Sequence, residues 1–551
     1  MTASGDAPCD SPLEDEAVVA ALTRPEAYAG AGVVPAASVE AIQTHLSHVF
    51  LCGERVYKFR KRVSLGFVDF RARAERNADC LREVALNRRL APDVYLGVAP
   101  LEVAASRVRV GAPRESLAAS GAEHCVVMRR LPRDRDALTL LERGALAPAQ
   151  IDRIAARIAR FHDEHGLGTP APYSQAEWLA HCTRPAVANF GTLREFAKDP
   201  EDRRRLERLE SLCLGFARER ADRFEARRRR GLAIDAHGDL HLAHVWFERD
   251  DAEPLAIDCL EFDAELRRID AASEVAFLAM DLAYRGADAL AERFLRVYAG
   301  LRDDFDLYRV VDWFASYRAA VRAKVAAIAA GEREIDAAQR ARAAESASRH
   351  LALALSHLEA PRSPRLVLVG GAVGSGKTTV SDALADALGA AVVSSDRVRK
   401  QRLGLAPGEH AAASAYTSEA KSAVYEAMLE RAEPVWSSGR AVVLDATFGA
   451  RRERERVRER AQRAGVPVFF VETRCDAEVA TSRLEQRRRA GRDASDAGPE
   501  LVAASRAAFE RLDEWPASER AVIDTTPPGW RADLESLAAR LMALRGSPAP
   551  Q

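Results

Sequence analysis

The sequence predicts an α+β region with a strand-rich and then a helical lobe, followed by a three-layer α/β region built on a parallel sheet. Three observations predict this. The chain has 551 residues, too many for one small domain. Strand-like patterning dominates residues 33–128 and helical periodicity dominates residues 151–359. After Pro364, short β-branched runs alternate with helical segments, as in a parallel sheet with helical crossovers.

Taken in order, residues 1–19 are expected to form a flexible tail, because MTASGDAPCDSPLEDE is polar and acidic. Ser47–Cys52 and Arg55–Arg60 read as strands around a Gly53-Glu54 turn. Leu81, Val84, Ala85 and Leu90 give residues Ala74–Leu90 a helical stripe. Val98–Ala104, Arg107–Val110 and His124–Met128 complete a strand-rich lobe that ends near Arg129–Pro132. Helices follow, interrupted by strands between Leu232 and Phe262, with Trp178, Phe190, Trp313 and Tyr317 as expected helical core. A helix over 336–359 is ended by Ala360-Pro361. The expected division is therefore 1–19, 20–360 and 361–551. The last region carries strands at Leu366–Val369, Ala391–Val393, Val442–Leu444, Val466–Val471 and Ala521–Ile523.

Composition excludes several classes. With 48% hydrophobic and 30% charged residues, the chain is not a disordered one. Lys+Arg at 81 and Asp+Glu at 82 leave no basic excess, so neither nucleic acid nor an anionic membrane is an expected partner. The N-terminus lacks a basic n-region and an apolar h-region, and no run reaches about 18 apolar residues. The eight cysteines form no CxxC pair, which fits free thiols in a reducing cytoplasm and offers no cysteine zinc site.

Two groups of residues carry chemistry. Gly371-Ala372-Val373-Gly374-Ser375-Gly376-Lys377-Thr378 matches G-x-x-x-x-G-K-[ST] between an expected strand and a helix over Thr379–Leu388. Such a glycine-rich loop turns backbone N–H groups inward around phosphate oxygens. Lys377 would reach the β/γ-phosphates of ATP, Thr378 would ligate Mg²⁺, and Thr379 continues the loop into the helix. Asp445, ending the strand Ala441–Leu444, resembles a Walker-B acid. Asp396, ending another strand run, resembles the acid that faces the acceptor hydroxyl in small P-loop kinases. For either aspartate the alternative is a helix N-cap or turn. Arg483 and Arg487, four residues apart on one helix face, resemble lid arginines, the alternative being a solvated basic helix.

The second group lies upstream. Lys58 on a strand, Glu83 on the next helix, Asp239 in His237-Gly-Asp-Leu-His241 and Asp258 at a strand end form a kinase constellation. Lys58 would neutralise phosphate charge and pair with Glu83, Asp239 would orient the acceptor hydroxyl, and Asp258 would hold Mg²⁺. His237 and His241 are expected to brace this loop through hydrogen bonds, and Asp270 to cap the helix beginning near Ala271.

HGDLH followed by Ile257-Asp-Cys-Leu-Glu-Phe262 resembles the aminoglycoside phosphotransferase family. The wider pattern of His45–Phe50, Val56–Lys61, Leu86–Pro92, Arg268–Leu282, Val442–Phe448 and Ser495-Asp496-Ala497 resembles a bacterial subfamily that fuses such a domain to a P-loop ATP-binding domain. The resemblance covers roughly residues 28–540. It implies a protein-kinase-like two-lobed fold followed by a P-loop NTPase fold, with ATP and Mg²⁺ as cofactors and transfer of a phosphoryl group to a hydroxyl of a small molecule. Two positions depart from that family's pattern. His244 stands where it carries a second metal-binding Asn, and is either a metal ligand or a structural hydrogen-bonding residue. No G-x-G-x-x-G occurs around residues 44–54. The alternatives are a regulatory pseudokinase fused to an active P-loop kinase, and, from the arginines of 483–492, a kinase of nucleic-acid ends.

Overall fold

The computed structural model describes residues 11–32, 37–65, 68–104, 107–117, 121–332, 336–359, 363–406, 408–490 and 496–543. Cys9, Val33, the Ala360-Pro361 stop, Arg492 and Ser495 lie outside them. The chain forms two compact units, one of residues 1–172 and 230–274, the other of 173–229 and 275–551. This division does not coincide with the boundary expected near 361. The change of periodicity there is a change of secondary structure, and the helices before it pack in the same unit as the parallel sheet after it.

The first unit is built on a six-stranded antiparallel sheet in the order Val39–Gln43, Ser47–Cys52, Arg55–Arg60, Glu123–Arg129, Tyr95–Ala104 and Arg107–Val110. Alternation along a strand sends successive side chains to opposite faces. Tyr57 and Phe59 therefore enter one core with Phe50, Cys125 and Val127. Lys58, opposite Val126, faces the other side, where helix Arg73–Asn87 packs Cys80 and Val84 on Val98 and Val126. The expected tail is corrected over residues 11–19, residues 1–10 lying outside the described ones. Asp15 caps helix Glu16–Leu22 by accepting from the Ala17 N–H, and Leu13, Val18 and Leu22 are buried in the Tyr57 core. Apolar spacing, not the acidic residues between, decides the fate of this segment.

In the second unit, strands run in the order Ala391–Ser394, Ala441–Asp445, Arg365–Gly371, Val468–Arg474 and Arg520–Asp524, all parallel. Helices Lys377–Leu388 and Trp530–Ala543 bury Val380, Leu384, Leu534 and Leu537 on Val367, Val443 and Val471. Helix Ser418–Ser437 packs on Ala441–Asp445. In the helical part, Trp313 is buried, meets Phe224 and Phe314 edge-on, and donates from Nε1 to the Cys213 carbonyl at 3.1 Å. Trp178 and Phe190 are also buried, and Tyr317 is half-buried. The seven cysteines among the described residues are buried. No helix among the described residues is long and apolar enough to cross a membrane.

One buried histidine makes this unit sensitive to acid. His350, 5% exposed, stacks on Tyr284 and donates from Nδ1 to the Ser346 carbonyl at 2.8 Å. Burial is the main cause that pushes its pKa from 6.5 down to about 4. The folded value lies below the unfolded one, so the stability from neutral His350 is present above pH 6.5 and lost as pH falls towards 4. The loss amounts to about 3 kcal/mol at pH 4. His350→Phe, which keeps the stack, is expected to flatten the dependence of the denaturation midpoint on pH between 6.5 and 4.

Candidate functional sites

In the first unit, the loop His237–His244 follows strand Ala233–Asp235. Its entry is fixed by Glu274, a fully buried carboxylate that accepts from the His237 and Gly238 N–H groups at 2.8 and 3.1 Å. His237 donates from Nε2 to the Ile257 carbonyl at 2.9 Å and accepts the Asp239 N–H on Nδ1 at 3.3 Å. Burial, with help from His244, pushes its pKa down to about 3, so it stays neutral and keeps this hydrogen-bond sense. Gly238 has φ +85, and a Cβ there would lie 3.1 Å from Leu260 Cβ. His237 thus braces the loop as expected. Asp270 accepts from the Ala272 N–H, as a cap would.

The charged constellation comes together around Lys58. Its ammonium lies 3.0 Å from Glu83 Oε1 and 3.0 Å from Asp258 Oδ1. Burial would lower the Lys58 pKa, but Asp258 and Glu83 outweigh it and hold the value above its ordinary level. In return Lys58 holds Asp258 well below the usual carboxylate range, against the effect of burial. Asp258 was expected at a strand end. The strand Leu255–Ala256 stops earlier, and Asp258 takes φ +62, a left-handed conformation that aspartate tolerates. His244 closes a 3₁₀ turn, Leu242–His244, with strand Val245–Trp246 after it. Its Nδ1–H donates to the Asp239 carbonyl at 2.9 Å, and its Nε2 lies 3.6 Å from Asp258 Oδ2. Asp239, His244 and Asp258 therefore form a continuous row ending at Lys58.

Sequence reasoning missed the support beneath this row. Buried Arg60, two residues from Lys58 on the same strand face, donates to Asp79 at 2.6 Å, to Glu83 at 2.7 Å, and to Glu261. The period of two in Val56-Tyr-Lys-Phe-Arg60 places it there. Glu274 was missed as well, although i, i+4 spacing from Asp270 puts it one turn along the same helix.

In the second unit, the central strand Arg365–Gly371 feeds the glycine loop, and helix Lys377–Leu388 begins at Lys377. A Cβ on Gly371 would lie 2.4 Å from the Thr473 carbonyl oxygen, and one on Gly374 would lie 2.9 Å from Ala480 Cβ. Gly374 also has φ +80. Side chains are excluded where the backbone must curl. Lys377 Nζ donates to the Ala372 carbonyl at 3.0 Å, and Thr378 Oγ1 donates to Asp445 Oδ2 at 2.8 Å. Thr379 is exposed on the first turn. Burial raises Asp445 to about 6, with Lys377 pulling the other way. Burial also lowers Lys377, which Asp445 and Asp396 oppose and Arg487 reinforces.

Lys377, Thr378, Asp445, Asp396 and Arg487 thus share one electrostatic environment. Asp396 sits in the first turn of helix Ser395–Leu403, not at a strand end, where an acid suits the helix N-terminus. It pairs with Arg399, whose guanidinium lies over the Tyr416 ring. Tyr416 Oη and Lys400 both hold Asp496, at 2.6 and 3.2 Å. Arg483 is placed differently from Arg487: it donates to Thr525 Oγ1 and to the Thr525 carbonyl, both at 2.8 Å, beside Gly376. A cavity of about 560 Å³ opens against Ala372 and Ser375, lined also by Cys475, Arg506, Phe509 and Leu512.

A strand, a glycine-rich loop, a helix and a Thr–Asp pair define a P-loop nucleotide-binding domain. Residues 366–512 match the AAA domain family. Over 499 residues the chain is 34% identical to uncharacterized protein Rv2004c of Mycobacterium tuberculosis, which covers 90% of this chain and 94% of that protein. The chain belongs to the family of that protein. Among solved structures, the Mycobacterium tuberculosis APS kinase CysC in complex with AMPPNP and APS overlaps 34% of this chain and all of its own, at 18% identity and a TM-score of 0.25. A Plasmodium vivax ethanolamine kinase overlaps 56% of this chain and 81% of its own, at 11% identity and a TM-score of 0.32. Both overlaps are too slight to transfer a substrate.

Proposed function

We propose that the protein is an ATP-dependent phosphotransferase with one nucleotide site in each unit, moving the γ-phosphoryl group to a hydroxyl of a small molecule. The observation that carries this reading is the convergence of Lys377, Thr378, Asp445, Asp396 and Arg487 on the curled glycine loop. The oxygen donors Thr378 and Asp445 suit a hard cation, and Mg²⁺ held there would neutralise charge between the β- and γ-phosphates. Lys377 exchanges the Ala372 carbonyl for phosphate oxygens. Asp396 faces the acceptor hydroxyl, and Arg487 stabilises charge on the transferred group. Phe509, Leu512 and Arg506 give the cavity beside the loop a surface for the nucleoside end.

The first unit fits an aminoglycoside-phosphotransferase type of site. Lys58, fixed by Glu83, would hold the α/β-phosphates, and Asp258 with His244 would hold a divalent cation. Asp239 accepts the proton of the acceptor hydroxyl as its oxygen forms the new bond to phosphorus and the bond to the leaving ADP oxygen breaks. Chromatography of products from γ-labelled ATP and a panel of small hydroxyl compounds tests this. Asp239→Asn is expected to lower one product roughly a thousandfold and leave any P-loop product intact. An Asp239→Asn variant that retains every product would contradict a catalytic first unit and favour a regulatory one.

A further inference from the structure

The loop His237–His244 offers donors that suit magnesium poorly. Mg²⁺ takes hard oxygen ligands and keeps its waters, whereas imidazole suits ions of the zinc and cobalt kind. Here ligand atoms of Asp239, His241 and His244 all lie within 4.8 Å of one another. The separations point the same way. His244 Nε2 is 3.6 Å from Asp258 Oδ2, and His241 Nε2 is 3.7 Å from Asp239 Oδ2. Both are too long for hydrogen bonds. The His241–Asp239 separation is close to the separation of about 3.4 Å between two ligands on a tetrahedral ion with bonds of about 2.1 Å.

The orientation of His244 is also that of a ligand. Its Nδ1–H is committed to the Asp239 carbonyl at 2.9 Å, so the neutral ring carries its lone pair on Nε2, the atom turned to Asp258. A hydrogen bond from the second ring nitrogen to a backbone carbonyl is how metal-bound imidazoles are held. The His241 ring lies against it, centroids 3.8 Å apart, and side-chain exposures of 12% and 16% keep both rings largely out of bulk water. Asp258 gives its Oδ1 to Lys58, and its Oδ2 faces His244.

We propose that His244, His241 and Asp239, whose ligand atoms lie within reach of one ion, bind one divalent transition ion of the Zn²⁺/Co²⁺ class in preference to Mg²⁺, with Asp258 Oδ2 approaching from the His244 side. Its service to a nucleotide rests on the phosphotransferase reading of this unit, but binding does not require nucleotide. The test is Co²⁺ titration of the chelator-stripped full chain, without nucleotide, followed by visible absorption. One equivalent is expected to produce a d–d band that Zn²⁺ abolishes and a large excess of Mg²⁺ leaves in place. His244→Asn and His241→Asn should each weaken binding about tenfold or more, while Asp445→Asn, which alters only the oxygen site of the other unit, should not. Circular dichroism identifies a variant that fails to fold, in which case the other histidine variant decides. No band, a band removed by Mg²⁺, or unchanged affinity in a folded histidine variant would overturn the proposal. Mg²⁺-supported transfer with no Co²⁺ site would sink the ion and spare the phosphotransferase. Ion binding without any transfer would do the reverse.

Discussion

Lys377→Ala is expected to abolish nucleotide binding at the P-loop and to lower phosphoryl transfer there by roughly a hundredfold to a thousandfold. The ammonium is the one cation of the loop itself, held among Asp445 and Asp396, and it donates to its own loop at the Ala372 carbonyl. A triphosphate arriving without it would bring several negative charges beside two carboxylates, with Arg487 left as the neighbouring side-chain cation. Burial disfavours the charged ammonium and its donor bond stays within the loop, so the variant should fold without a lowered denaturation midpoint. Near-normal turnover at saturating ATP, with only a raised KM, would show that Lys377 binds ground and transition states equally.

Arg440→Met is expected to destabilise the second unit by about 3 kcal/mol. Arg440 is 8% exposed and donates to both carboxylate oxygens of Glu292, at 3.0 and 2.9 Å, and of Asp312, both at 2.9 Å. It also lies over Tyr308. Methionine removes the cation and leaves two acids facing one another in a largely dry site. The acids keep some solvent contact, which holds the cost at the lower end of that known for broken buried pairs. Arg431 with Asp303, and Arg293 and Arg296 with Asp386, tie the same surfaces together. The helices before residue 361 are thereby bound to the P-loop sheet. Denaturant titration reads the effect, and Glu292→Gln with Asp312→Asn in the Arg440→Met background should recover part of it. An unchanged midpoint would mean that these pairs are solvated and add nothing.

The five parallel strands were legible because β-branched runs recur between helical segments, and the Lys58 hairpin because its apolar residues alternate. Both patterns are local. What stayed hidden depends on contacts distant in sequence. Arg440 looks like a turn residue after Gly439 until Glu292 and Asp312 meet it. Nothing near residues 11–22 shows that they cover the Tyr57 core, since their acids obscure the buried stripe of Leu13, Val18 and Leu22. The candidate site residues were picked by type and order. Their exact roles turned on backbone detail: Asp258 needed a left-handed turn, Asp396 a helix start, and Arg483 a partner in Thr525 that separates it from Arg487.

The claim of two nucleotide sites is tested most directly by calorimetric titration of the full chain with a non-hydrolysable ATP analogue, with Mg²⁺ and Co²⁺ present. The account predicts two sites per chain, one lost in Lys377→Ala and the other in Lys58→Ala. A single site in the unaltered chain, lost in Lys377→Ala and untouched in Lys58→Ala, would contradict it.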